Sequence, residues 1–80
     1  MENKLERAKQ VIEENLNDAR YGIFDSRNVV GDPMDNIYDE DGLSIDICWG
    51  YGYFEVFGLS TSEFAELENF YNELLEKEED

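Results

Sequence analysis

The stretch Asp41–Leu75, DGLSIDICWGYGYFEVFGLSTSEFAELENFYNELL, decides the fold of this 80-residue chain. Asp41-Gly42 tolerates the positive φ values of a two-residue hairpin turn, so strands are expected on either side of it, over about 34–40 and 43–49. That turn sets Glu40 opposite Leu43, and hence Tyr38 opposite Ile45, Asn36 opposite Ile47 and Met34 opposite Trp49. Gly50-Tyr51-Gly52 then turns the chain into a third strand, 53–57. A loop at Gly50-Tyr51 and a loop at Tyr51-Gly52 differ in register by two, so neither changes the faces. The first sets Asp46 directly opposite Glu55, where like charges repel, which favours the second. Ile45, Ile47, Trp49, Phe54 and Val56 share one face, expected to be the core. The other face carries Asp35, Ile37, Asp39, Ser44, Asp46, Cys48, Tyr53, Glu55 and Phe57.

The second half of the stretch reads as a helix over 61–76. Ser60 is its cap, Glu63 completes the capping box and Leu59 can pack on Phe64 as a hydrophobic staple. Phe64, Leu67, Phe70, Tyr71, Leu74 and Leu75 form the apolar stripe. The acidic tail 77–80 opposes the helix dipole and is expected to fray. Toward the N-terminus, Asn3 and Glu6 make an N-x-x-E start, and Leu5, Ala8, Val11, Ile12, Leu16 and Ala19 recur at helical steps, predicting a helix over 2–20. Between them, YGIF and NVV are short apolar runs, one of which can form a short strand, closed by Gly31-Asp32-Pro33. The expected architecture is one α+β domain, 1–80, in two layers: N-terminal helix, three-stranded antiparallel β-meander, C-terminal helix. The first helix is expected beside the second, because covering Asp35, Asp39, Asp46 and Glu55 would bury charges without bases to pair them.

Composition narrows the function. A formal net charge of −15 argues against direct binding to nucleic acid or an anionic membrane, which takes Lys and Arg. The charge is uneven: residues 28–76 hold twelve Asp and Glu and no Lys, Arg or His. An aromatic content of 14% sets the chain apart from disordered acidic tails. One cysteine, Cys48, and no histidine exclude an internal disulfide and the usual zinc ligand sets. Without a histidine partner or nearby base, Cys48 reads as a small packed residue rather than a nucleophile. DNIYDEDG fits a calcium loop at Asp39 and Asp41, but Ile37 and Cys48 stand where the first and the bidentate ligands belong. GYG sits in a hairpin and opens no helix, so it is no phosphate loop. No apolar run follows Met1, so neither signal peptide nor anchor is expected, and the location expected is cytoplasmic. The expectation is a non-enzyme without cofactor or metal.

What remains is a surface. Helical carboxylates three or four residues apart lie about 5–6 Å from one another, close to the spacing of phosphates along a strand. Glu66, Glu73 and Glu76, with Asp35, Asp39, Glu40, Asp41, Asp46 and Glu55, can present a phosphate-like array, and Tyr51, Tyr53, Phe57 and Ile37 can add anchors. The plainer alternative is a solvated acidic face, with the aromatics forming a small second core.

In size, helix-and-meander order, single free cysteine and base-free acidic half, the chain resembles short acidic proteins of phages and mobile elements. The class in question is the DNA-mimic anti-CRISPR and anti-restriction proteins. GIFDSRNVVGDPM (22–34) and IDICWGYGYFEVFGL (45–59) also have the look of a recurrent phage-borne family. The resemblance implies an inhibitor that occupies the nucleic-acid or PAM-reading surface of a host defence nuclease, in the host cytoplasm if phage-encoded. The partner would be a basic nucleic-acid-binding protein, met by a monomer or homodimer. A second reading is a phage regulatory or assembly module in which Tyr51, Tyr53 and Phe57 form a hydrophobic contact or a homodimer face.

Overall fold

The structure, a computed structural model, describes residues 3–25 and 35–78. The expected NVV run, the Gly31-Asp32-Pro33 break, Met34 with its pairing to Trp49, and the last two tail residues lie outside the described residues. The chain is α+β, and its sheet differs from the expected meander by a whole strand. Helix α1 (Lys4–Glu14) and a 3₁₀ turn (Leu16–Asp18) lead into β1 (Gly22–Asp25); β2 (Asp35–Glu40), β3 (Leu43–Cys48), β4 (Tyr53–Phe57) and α2 (Thr61–Glu78) follow. The sheet order is β1-β4-β3-β2, with β1 parallel to β4 and the other pairs antiparallel. The meander is therefore present, but as three strands of a mixed four-stranded sheet. The run YGIF supplies β1, whose Ile23 is buried in the core while Phe24 faces outward.

Both helix starts follow the local signals. Glu6 N donates to Asn3 Oδ1 at 2.8 Å. Ser60 Oγ accepts from Glu63 N at 3.2 Å while Glu63 Oε1 accepts from Ser60 N at 3.0 Å, a complete capping box. That bond from the Ser60 amide, followed by a hydrogen bond from the Ser60 hydroxyl to the same carboxylate, holds the Glu63 carboxyl below its ordinary value. The first helix is shorter than the 2–20 its periodicity predicts: Asn15 ends it, its Nδ2 donating to Val11 O at 2.9 Å, and a 3₁₀ turn carries Leu16 into the core. Helix α2 instead runs past the expected end at 76 to Glu78.

The helices lie side by side on one face of the sheet. Leu5, Ala8, Val11, Ile12, Leu16 and Ala19 join Ile23, Leu43, Ile45, Ile47, Phe54, Val56, Leu67 and Tyr71 in one buried cluster. The expected placement of the first helix thus holds, and Lys9 Nζ sits 5.6 Å from the Phe70 ring centroid across the helix pair. Phe54 meets Tyr71 edge to face at 5.9 Å between centroids. The buried Tyr71 hydroxyl donates to Ala19 O at 2.7 Å and accepts from Gly22 N at 3.1 Å, so α2 holds the entry to β1. Burial raises the Tyr71 phenol above its ordinary pKa. Among the described residues no helix is long and apolar enough to cross a membrane.

The expected registers hold near the Asp41-Gly42 turn and slip beyond it. Asp41 (φ 54) and Gly42 (φ 81) adopt the positive angles of the hairpin turn, and Glu40 pairs with Leu43, Asp39 with Ser44 and Tyr38 with Ile45. At Ile37 the ladder shifts, so Asn36 opposes Asp46, not Ile47, and Asp35 opposes Ile47. Ile37 and Tyr38 both pack against the core cluster, which removes Ile37 from the acidic face. The bulge follows from burial: it turns an isoleucine inward that strict alternation would expose.

The β3–β4 register is the like-charge alternative: Cys48 pairs with Tyr53, Ile47 with Phe54, Asp46 with Glu55 and Ile45 with Val56. Opposed like charges at a solvated site cost about 0.2–1 kcal/mol, less than burying a core side chain contributes. This register stacks Ile45 and Ile47 against Val56 and Phe54, all four buried. It also leaves a four-residue turn, in which Gly52 N donates to Cys48 O at 2.7 Å. Trp49 therefore leaves the expected core face and stands in the turn, exposed.

Two stability measurements check this account. Tyr71→Phe strands a buried carbonyl and an amide and should cost about 1–3 kcal/mol in urea unfolding; a cost below ~0.5 kcal/mol would contradict the assigned bridge. At Gly58 (φ +106) a Cβ would overlap the Gly42 carbonyl oxygen, whereas nothing lies within 4 Å of one at Gly50. Gly58→Ala should therefore unfold the protein or cost more than ~2 kcal/mol, and Gly50→Ala should leave stability within about 1 kcal/mol.

Candidate functional site

Strand parity builds the outer face of the sheet in three rows. The central row runs Phe24, Glu55, Asp46, Asn36 across all four strands. One flanking row is Gly22, Tyr53, Cys48 and the other Phe57, Ser44, Asp39. Of the residues singled out from sequence, Asp39, Asp46, Glu55, Tyr53 and Phe57 are therefore brought together. Phe57 is exposed, whereas Tyr53 is buried and meets the Phe24 ring edge to face at 5.0 Å. Tyr53 is thus part of the platform, and Phe24, which faces solvent beside it, is the outer aromatic. Cys48 is buried with a free thiol.

Asp46 and Glu55 stand directly opposite each other, and the slip at Ile37 supplies the group that makes this tolerable. Asn36 Nδ2 lies 2.7 Å from Asp46 Oδ1, 2.9 Å from Ser44 Oγ and 3.1 Å from Tyr38 O, so a neutral amide donates where a base would otherwise be needed. Desolvation, then the Asp46 charge, raises the Glu55 carboxyl above its ordinary pKa. The pair holds negative charge at close quarters, available to a cation from outside.

The remaining acids lie elsewhere. Glu40 and Asp41 end the β2–β3 hairpin beside Lys4, Arg7, Asn3 and Tyr38, around a cavity of about 250 Å³. There Tyr38 is raised by desolvation and then by the Glu40 carboxylate, with Arg7 acting in the opposite sense. The bases of α1 thus accompany this part of the acidic set. Asp35 is exposed on edge strand β2, outside the central rows. Glu66, Glu73 and Glu76 are exposed on α2, which packs on the opposite face of the sheet. The single array expected from sequence is therefore divided between two sides of the domain. Tyr51 is exposed in the β3–β4 turn and belongs to neither acidic group.

Sequence reasoning missed Phe24 and Asn36. Phe24 follows once YGIF is read as a strand, because alternation from the buried Ile23 points it outward. Asn36 carried no such signal, since its place depends on the slip at Ile37. Among the described residues no group of three or more His, Cys, Asp or Glu side chains is placed to hold a metal ion. Comparison with known proteins finds no family model, no curated protein and no solved structure that matches the chain.

The Glu55 environment sets a pH dependence. The native state holds the Glu55 proton more tightly than the unfolded chain does, so this group adds stability as pH falls through its raised native pKa and costs stability when ionised at neutral pH. Glu55→Gln should therefore raise stability at pH 7 by about 0.2–1 kcal/mol, a solvent-screened contribution. The advantage over wild type should shrink as the pH is lowered to ~3, below the ordinary Glu value. Parallel urea titrations across that interval check both the sign and the narrowing.

Proposed function

We propose that this protein is an inhibitor that binds a basic, nucleic-acid-binding surface of a partner protein through the outer face of its sheet. The Asp46–Glu55 pair, opposed across β3 and β4 and served by a neutral Asn36 amide, carries this reading. A Lys or Arg from outside would relieve the repulsion and replace water around a partly desolvated carboxylate, so charge pairing there carries a gain that a scattered surface acid lacks. Asp39 extends the charge along the face, and the exposed rings of Phe24 and Phe57 flank it with the aromatic area that gives interfaces affinity. A net charge of −15 favours a basic partner over a second copy of the chain.

The partner class follows from the resemblance to DNA-mimic inhibitors: a host defence nuclease whose Arg and Lys normally meet phosphates or a PAM. Phosphate mimicry in this fold would rest on Asp39, Asp46 and Glu55. The acids of α2 would meet the same partner only if it wrapped the domain. A second reading, favoured by the exposure of Phe24 and Phe57 on the same face, is an aromatic docking module for which charge is secondary.

Capture from bacterial lysate on the immobilised protein, followed by nucleic-acid competition on whatever is retained, separates the two. The mimic reading expects a nucleic-acid-binding protein that elutes as salt rises and loses its DNA or RNA to this chain. Asp46→Asn with Glu55→Gln should then weaken retention by about tenfold or more, as for close charge pairs at interfaces. Since Asp46 also accepts the Asn36 amide, a thermal melt of the double variant separates that loss from unfolding. Retention that ignores salt and the double neutralisation, but disappears in Phe24→Ala with Phe57→Ala, would overturn mimicry in favour of aromatic docking.

A further inference from the structure

Three exposed aromatics gather at the β3–β4 turn, away from the acidic pair. Tyr21 is 87% exposed, Tyr51 65% and Trp49 51%, and all three line one cavity of about 300 Å³ together with Asp18 and Arg20. The turn and the entry to β1 are joined by the backbone: Tyr21 N donates to Gly52 O at 2.8 Å. A Cβ at Gly52 would lie 2.8 Å from Tyr21 Cδ2, so the glycine is where the ring comes down on the turn. The ring pairs among the described residues are Phe24 with Tyr53 and Phe54 with Tyr71; the three rings of this cavity stack on none of them or on one another. Each is more than half exposed.

We propose that this cavity is an aromatic cage for an alkylammonium group, the head of a lysine side chain, methylated or not, on the partner protein. Aromatic faces attract cations through the ring quadrupole, with Trp the strongest of the three ring types. Asp18 adds a carboxylate at the wall, and the −15 net charge of the chain raises the local concentration of cations over anions. Arg20 also lines the wall, its Nη1 donating to Asn17 Oδ1 at 3.0 Å, so the attraction for a cation rests on the three rings and on the net charge of the chain. The lysine identity rests on the reading that the partner is basic; the cage itself does not.

Trp49 is the single tryptophan, so its fluorescence reports directly on the cavity. Choline is the cationic probe and 3,3-dimethylbutan-1-ol its neutral isostere, each titrated into the full chain with parallel NMR of the indole N–H. The cage expects choline to shift both signals and to bind about threefold to thirtyfold more tightly than the isostere. Tyr51→Leu, at an exposed position, should remove most of that preference while leaving the thermal midpoint unchanged. Equal response to choline and the isostere, no response to either, or a preference that survives Tyr51→Leu would each overturn the cage. Choline binding with no basic protein retained in the capture experiment would instead leave the cage standing and remove its lysine occupant.

Discussion

The hydroxyl of Tyr71 is the contact on which the arrangement of this small domain depends. It lies in the core, where a polar group without partners is costly, and it finds both in the short connection between the 3₁₀ turn and β1. By taking the Ala19 carbonyl and the Gly22 amide together, one side chain of α2 holds the chain at the point where helix gives way to strand. From there Ile23 enters the core and β1 runs parallel to β4. The same ring meets Phe54 edge to face, so the helix layer, the central strand and the edge strand converge on one residue.

A strongly acidic chain of this size has few ways to build a sheet without crowding its charges. Here the core decides the β3–β4 register, and the charges adjust to it. Ile45, Ile47, Phe54 and Val56 are buried by a pairing that also opposes Asp46 and Glu55. The Asn36 amide and the raised Glu55 pKa absorb the consequence. The electrostatic tension on the outer face is thus a by-product of packing on the inner one. The other acids are spread by the same packing: α2 carries its own to the opposite side, and the hairpin end meets the bases of α1.

Much of this was legible in the residues. Asn3 and Ser60 as caps, the Asp41-Gly42 turn, the apolar stripes of both helices and the two-faced character of β3 and β4 all rest on interactions within a few residues. Charge is legible too, because it does not depend on conformation. The calcium-loop mismatch in DNIYDEDG and the lack of a histidine are likewise matters of residue type alone. Less legible were Phe24, Asn36 and the cluster of Tyr21, Trp49 and Tyr51, which come from segments that read as a short apolar run with no assigned strand partner, an alternating strand and a turn.

By itself the sequence determined the α+β class, the positions of the helix starts, one hairpin and the sign of the surface. Tertiary structure decided that YGIF becomes a parallel edge strand, that the ladder slips at Ile37, that Trp49 leaves the core, and that the acids divide between two sides. The physical reason is range. Caps and turns are settled by partners three or four residues away, whereas the Tyr71 bond to Ala19 spans 52 residues and the β1–β4 ladder begins with Gly22 against Tyr53. Such contacts form only when the whole core closes, and local preferences as weak as those of YGIF or Gly50-Tyr51-Gly52 yield to whichever pairing buries the most apolar surface.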